Sequence, residues 1–285
     1  MSSIAYLTDE RMLEYHRSSG NRNVNFWRIG VRNFDKFEVG DLLFFVDKRS
    51  VHPFSKEKGI IGFGVFQEIR TLSVERTWKD YEQLTGYRNK QSFIDTVLKM
   101  NDDVLPERIQ SIYLEQVFFF KTPIYMGEFT KPLNKNLESF VYLEDEEEYR
   151  LLEKGKSYGI DSWFELMNDQ SHMTQEYQTI QNNILVRQAL RNIHVFWTQE
   201  QERMIYSVKA EKVSKFAYLR ESDKSYIIYI PISSMRNQYY EALGMIRELQ
   251  TLLNYKLTFV FLVKENAQQY ERKINQFDFL RLEYI

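Results

Sequence analysis

Through the first half of the chain the apolar positions come in short runs separated by turn residues, the rhythm of a sheet. Residues 42–47 (LLFFVD) and 59–68 (GIIGFGVFQE) are apolar, β-branched or aromatic and predict two strands. Val39-Gly40-Asp41 predicts the turn that starts the first strand, and Gly62 and Gly64 predict a bulge or strong bend in the second. From 74 to 100 the rhythm changes. Apolar Trp78, Tyr81, Leu84, Phe93, Ile94 and Val97 stand in a polar stretch and predict one or two helices inserted into the sheet. Residues 112–126 (IYLEQVFFFKTPIYM) predict a strong strand stopped by Pro123, which cannot donate to a ladder. Strands closing on themselves around inserted helices predict a small mixed β-barrel.

The second half reads differently. From 174 to 194, Tyr177, Ile180, Ile184, Leu185, Ala189, Leu190 and Ile193 recur at helical spacing. Strands are predicted at 212–219, 225–233 (SYIIYIPIS), 257–264 (LTFVFLVK) and in the last residues, FLRLEYI, with a helix over about 237–253. Strand, helix, strand implies a crossover that pairs SYIIYIPIS and LTFVFLVK in parallel. The predicted class is α+β: a mixed β-barrel with inserted helices over 1–142, a linker and helix over 143–172, and an α/β domain over 173–285. The acidic run EDEEE (144–148) and the glycines at 155 and 159 mark the boundary, the run itself reading as a solvated helix start.

Composition narrows this picture. A length of 285 residues suits one large or two ordinary domains, and 43% hydrophobic with 27% charged residues describes a globular chain rather than a disordered one. The 15% aromatic content, with 19 Tyr and 21 Phe, favours strands and also builds stacking surfaces. The absence of cysteine excludes disulfides, thiolate nucleophiles and cysteine-held zinc, and fits the cytoplasmic location expected here. The first residues lack the apolar core of a secretory signal, and no stretch approaches 18 apolar residues, so no membrane partner is expected. A net charge of −2 excludes coating of nucleic acid by bulk charge. Locally, however, Arg17, Arg22, Arg28 and Arg32 follow one another with no acid between them, which suits a limited polyanion contact.

Several chemistries have no support. His16, His52, His172 and His194 form no HExxH or paired metal spacing, and His194 reads as a buried or capping residue. There is no GxxxxGK[ST], GxGxxG or GxSxG, so nucleotide hydrolysis and serine hydrolase chemistry are not indicated.

The ordered set Asn25-Phe26-Trp27-Arg28, Val39-Gly40-Asp41 before Leu42-Leu43-Phe44-Phe45, Ile61-Gly62-Phe63-Gly64-Val65 and Val117-Phe118-Phe119-Phe120 with Pro123-Ile124 resembles the PUA-like superfamily over about residues 20–130. The likeness is to EVE-type domains found fused to restriction nucleases. The resemblance implies a reader that takes a flipped, often modified, base into an aromatic pocket, in a restriction or phage-defence setting, with DNA as partner and RNA left open. An extruded base needs new π-faces and polar contacts to its pairing edge. The implied base-binding residues are Asn25, Phe26, Trp27, Phe45 and Phe63; the implied phosphate-binding residues are Arg17, Arg22, Arg28, Arg32, Lys48 and Arg49.

In the second half, SDKSYIIYIPISSMRNQYYEALGMIRELQ is similar to the PD-(D/E)XK nuclease core, with Glu241-Ala242-Leu243-Gly244-Met245 matching its helix and Asp223 near its first acid. Where that family has acid-x-Lys, this chain has Pro231-Ile232-Ser233. The acids that hold Mg²⁺ and the lysine beside the attacking water are missing there. The half therefore reads as a degenerate nuclease-like domain or as an unrelated α/β domain. Three functions stay open. One is a base-reading module with neither metal nor cofactor. Another is an endonuclease using Asp223, Glu241 and Glu248 with Mg²⁺. The last is a docking or homodimerisation protein whose SYIIYIPIS strand pairs across chains.

Overall fold

In the first half the Val39-Gly40-Asp41 turn precedes a strand, Pro123 falls next to a strand end, and the Gly62 signal becomes a bulge within a strand. The chain runs β1 (Ile4–Thr8), α1 (Glu10–Ser19), β2 (Val24–Arg28), β3 (Leu42–Val51), β4 (Lys58–Leu72), α2 (Val74–Tyr81), α3 (Lys90–Met100), β5 (Ile109–Ile124), β6 (Phe140–Tyr142), α4 (Asp145–Tyr158), α5 (Ser162–Leu166) and α6 (Gln170–Leu190). The computed structural model describes residues 2–190 and, beyond them, 199, 203, 205, 210–212, 218–222, 225–231, 236–252, 256–263 and 278–284. The protein is α+β and divides into two units, Met1–Gln178 and Thr179–Ile285.

The first unit is built on a six-stranded sheet of order β2-β5-β4-β3-β1-β6, antiparallel except for the parallel pair β1–β3. Its ends are β2 and β6, so no ladder closes the barrel. The sheet instead rolls until the Tyr6 ring of β1 meets the Phe26 ring of β2 edge-on, 4.6 Å between centroids. The Gly62 bulge helps the roll. The β4–β5 register shifts between Ile60 and Gly62, and a Cβ on Gly62 would lie 2.2 Å from the Phe118 carbonyl oxygen, so only glycine admits this approach.

Asp9 caps α1 by accepting from the Met12 amide, and Gly20 ends it in the left-handed region at φ 64°. The predicted helical insert between β4 and β5 is α2, a 3₁₀ turn at Glu82–Thr85, and α3. The acidic run opens α4, as expected of a helix start, with a reciprocal cap between Glu144 and Glu147. Glu148 departs from the solvated reading. It is buried and accepts from the Ser3 hydroxyl, which itself accepts from the Leu42 amide at 2.7 Å.

The core of this unit is aromatic. Phe45 stacks on Phe119 at 5.7 Å and Phe63 on Phe118 at 5.4 Å. In the stretch read from sequence as linker and helix, α4 and α5 pack on β5: Phe164 meets Phe119 edge-on at 5.2 Å, and Gly155 lies against Phe120.

In the second unit β7 (Glu211–Lys212), β8 (Tyr218–Ser222), β9 (Ser225–Pro231), α7 (Arg236–Leu252), β10 (Lys256–Val263) and β11 (Leu280–Tyr284) give a sheet of order β11-β10-β9-β8-β7. The expected parallel pairing of SYIIYIPIS with LTFVFLVK is present as β9–β10 across the α7 crossover. The expectation that this strand pairs across chains is corrected. β9 hydrogen-bonds β8 on one side and β10 on the other, so it has no open edge.

Candidate nucleic-acid interface

Where β1 and β2 meet, the rolled sheet leaves a cavity of about 400 Å³. This lies in the range of small-ligand pockets, roughly 300–1,000 Å³. Tyr6, Phe26 and Trp27 form aromatic wall, Arg28 and Gly30 continue it where the chain leaves β2, and Tyr87 faces in from the loop after the 3₁₀ turn. Exposed Arg32 and Lys48 add positive charge, and Asp9 and Glu138 contribute the acids.

The Arg28 guanidinium is the distinctive group. Its Nε and Nη1 are buried and have no hydrogen-bond acceptor. It lies over the Tyr6 ring, 5.9 Å from its centroid. Burial pulls its pKa down, Tyr6 acts to raise it, and the like charge of Arg32 lowers it further. Guanidinium nitrogens carry hydrogens in every accessible protonation state, so buried unmatched ones represent unmet donor capacity. A carbonyl, a ring nitrogen or a phosphate oxygen would satisfy it.

Trp27 is a fixed wall rather than an open plate. Its indole N–H donates to the Thr85 carbonyl at 3.0 Å, Phe93 meets it edge-on at 5.1 Å, and 8% of the residue is exposed. Asn25 shares its face of β2 and lies outside the cavity lining. It is fully buried and donates to the Ser111 hydroxyl at 3.4 Å, while its carbonyl oxygen has no donor. Phe45 and Phe63 are sealed in the core, so of the five aromatic and amide residues expected to hold a base, only Phe26 and Trp27 reach the cavity.

The cations divide in the same way. Arg28, Arg32 and Lys48 converge on the cavity. Arg22 instead bonds Glu176 at 2.7 Å and covers the Phe118 ring at 4.3 Å. Arg17 pairs with Glu14 at 3.2 Å and Asp161 at 3.5 Å, and Arg49 pairs with Glu10. Opposite charges, from distant segments and, at Arg17, also from its own helix, engage these three outside the cavity lining. Tyr6, Asp9 and Tyr87 were missed in the sequence. Residues 4–8 (IAYLT) are a short apolar run of the kind that forms a buried strand, but nothing local places Tyr6 beside Phe26.

Of the candidate catalytic acids, Asp223 lies outside the described residues. Glu241 and Glu248 are both exposed on α7, two turns and about 10 Å apart along the axis. Among the described residues no three His, Cys, Asp or Glu side chains come together as metal ligands. Among the described residues no helix is long and apolar enough to cross a membrane.

An α+β chain with a rolled mixed sheet and a basic, aromatic-walled cavity is thus the class that the structure defines. No known family profile matches the sequence, and no curated protein does. Among solved structures it is similar to an ASCH protein from Zymomonas mobilis, at 16% identity over 53% of this chain and 94% of that one, with a TM-score of 0.36. Tyr-to-Phe and Ser-to-Ala mutants of that protein match at 16% and 15% identity, each over 54% of this chain, with TM-scores of 0.38; 98% and 96% of their own chains are covered.

Proposed function

We propose that this protein binds nucleic acid and takes one unstacked base into the cavity between β1 and β2. The unmatched guanidinium of Arg28 within an aromatic wall is the observation that carries the reading. A base removed from its stack needs aromatic faces, which Phe26, Tyr6 and the rim of Trp27 offer, and a donor for its acceptor edge, which Arg28 offers. On this reading Arg32 and Lys48, at the cavity lining, meet the flanking phosphates. In the finer reading the polymer is DNA, the base a modified cytosine, and the setting restriction or phage defence. Recognition needs no cofactor, and the second unit serves as the oligomerisation or partner-binding half.

Binding of duplexes with plain and modified cytosine, and of matched RNA single strands, by wild type and Arg28→Ala tests this. Loss of a bidentate base contact should weaken binding by about 1–3 kcal/mol, five- to 150-fold, and flatten the preference among bases. Equal affinity of wild type and Arg28→Ala for every probe would sink the proposal, and a preference for RNA would replace DNA as the polymer.

A further inference from the structure

The β3–β4 hairpin carries a feature that neither the core nor the cavity uses. Phe54 stands at its tip 89% exposed, by far the most exposed phenylalanine among the described residues, and Val51 beside it is 42% exposed. The tip is a built turn. The His52 amide donates to the Glu57 carbonyl at 2.8 Å, the Lys56 amide donates to the His52 carbonyl at 3.1 Å, and the Ser55 amide donates to His52 Nδ1 at 3.1 Å. Glu57 is buried and accepts from the amides of Gly127 and Leu133, at 3.0 and 2.8 Å, which ties the hairpin base to the body of the unit. Lys56 holds a left-handed φ of 60°, a conformation that costs a non-glycine residue energy and that the surrounding bonds maintain. A fixed turn thus presents a bare aromatic ring to solvent.

The flanking charge says what fits there. Lys48 lies on the rising strand, beside Arg49, which is paired with Glu10; after the tip, the Lys56 and Lys58 ammonium groups each donate to a backbone carbonyl, of Pro53 and Leu137, so lysines flank the hairpin tip on both sides. Lys48 also lines the cavity, which makes the hairpin a continuation of the proposed interface. An aromatic ring between cations matches a base between phosphates. A bilayer fits less well, because interfacial anchoring draws on a broad apolar face, and this tip offers one large ring and one valine.

On the reading of the cavity given above, we infer that the β3–β4 hairpin is a second nucleic-acid contact, in which Phe54 stacks on a base outside the cavity while Lys48 and the exposed Lys56 hold adjoining phosphates. The ring is exposed and meets the His52 ring of the same tip, 5.9 Å between centroids, rather than the core, so Phe54→Ala should melt close to wild type.

The test uses the full chain with mixed-sequence DNA and RNA, single-stranded and duplex, and separately with phosphatidylserine-containing vesicles. Phe54→Ala should bind its preferred oligonucleotide about tenfold more weakly than wild type, the scale of one stacked base. Phe54→Trp should restore affinity, and its indole emission should be quenched by the oligonucleotide. If Phe54→Ala binds as wild type does while Arg28→Ala loses affinity, the hairpin inference is wrong and the cavity reading stands. If wild type binds no oligonucleotide, both fall. If the Phe54→Trp emission responds to vesicles and not to oligonucleotide, the hairpin is a membrane contact and the inference is overturned.

Discussion

His16 shows how one buried side chain sets a pH response. It is fully buried in α1, its Nδ1 lies 3.0 Å from the Asn21 amide nitrogen, and its Nε2 has no partner. Burial pulls its pKa down from 6.5 to about 3. Below pH 6.5 the unfolded chain takes up a proton that the folded chain refuses, so folding free energy falls by about 1.4 kcal/mol per pH unit until pH nears the folded value. His16→Gln keeps an acceptor for Asn21 and removes this titration. Between pH 6.5 and 4.5 wild type should lose roughly 2 kcal/mol more stability than the variant, read from urea midpoints at each pH. Parallel curves for the two proteins would show that His16 is protonated in place. At the cavity, charge has its own signature. Arg32→Ala and Lys48→Ala should each lower the slope of log affinity against log salt by about 0.7–0.9, one phosphate's worth, while leaving base preference unchanged. An unchanged slope would remove them from the phosphate path.

At the scale of elements, the bulge in β4 sets how closely β4 and β5 approach. Gly62 is the point where the β4–β5 register shifts, and its missing Cβ makes room for the Phe118 carbonyl. Gly62→Ala should destabilise the protein by about 3 kcal/mol, the upper end of ordinary overpacking, because the obstructing atom is backbone and cannot rotate away. Thermal denaturation checks this. Gly64→Ala is the milder control, since its nearest neighbours are side-chain carbons at 3.0 Å that can shift. The strands around this bulge were legible because a period of two and turn residues are local properties. So were α2, α3 and the helix start at the acidic run. Other elements owe their role to partners elsewhere. The acidic run reads as solvated until Ser3 is seen to claim Glu148, and pairing of SYIIYIPIS across chains stays open until β8 and β10 are seen on its two sides.

At the scale of the molecule, every residue assigned to the cavity and to the hairpin belongs to the unit Met1–Gln178. A fragment ending after α6 should therefore bind nucleic acid as the full chain does, within about 0.5 kcal/mol, the tolerance expected of independent sites. Circular dichroism would verify that it folds, and anisotropy would read its affinity. A fragment that folds but binds much more weakly would give the second unit a part in recognition.

The sequence by itself determined the α+β class, β3, β4 and β5 with the helices inserted between them, the glycine bulge and the parallel pair around α7. These follow from periodicity, turn chemistry and the sterics of single residues, all of which act over a few positions. The tertiary structure alone decided which aromatics face a cavity and which fill the core, and which arginines are already paired. Phe26 and Phe45 are equally apolar in the sequence. They separate because the sheet rolls far enough to bring β1 against β2, and that depends on contacts between residues far apart in the chain.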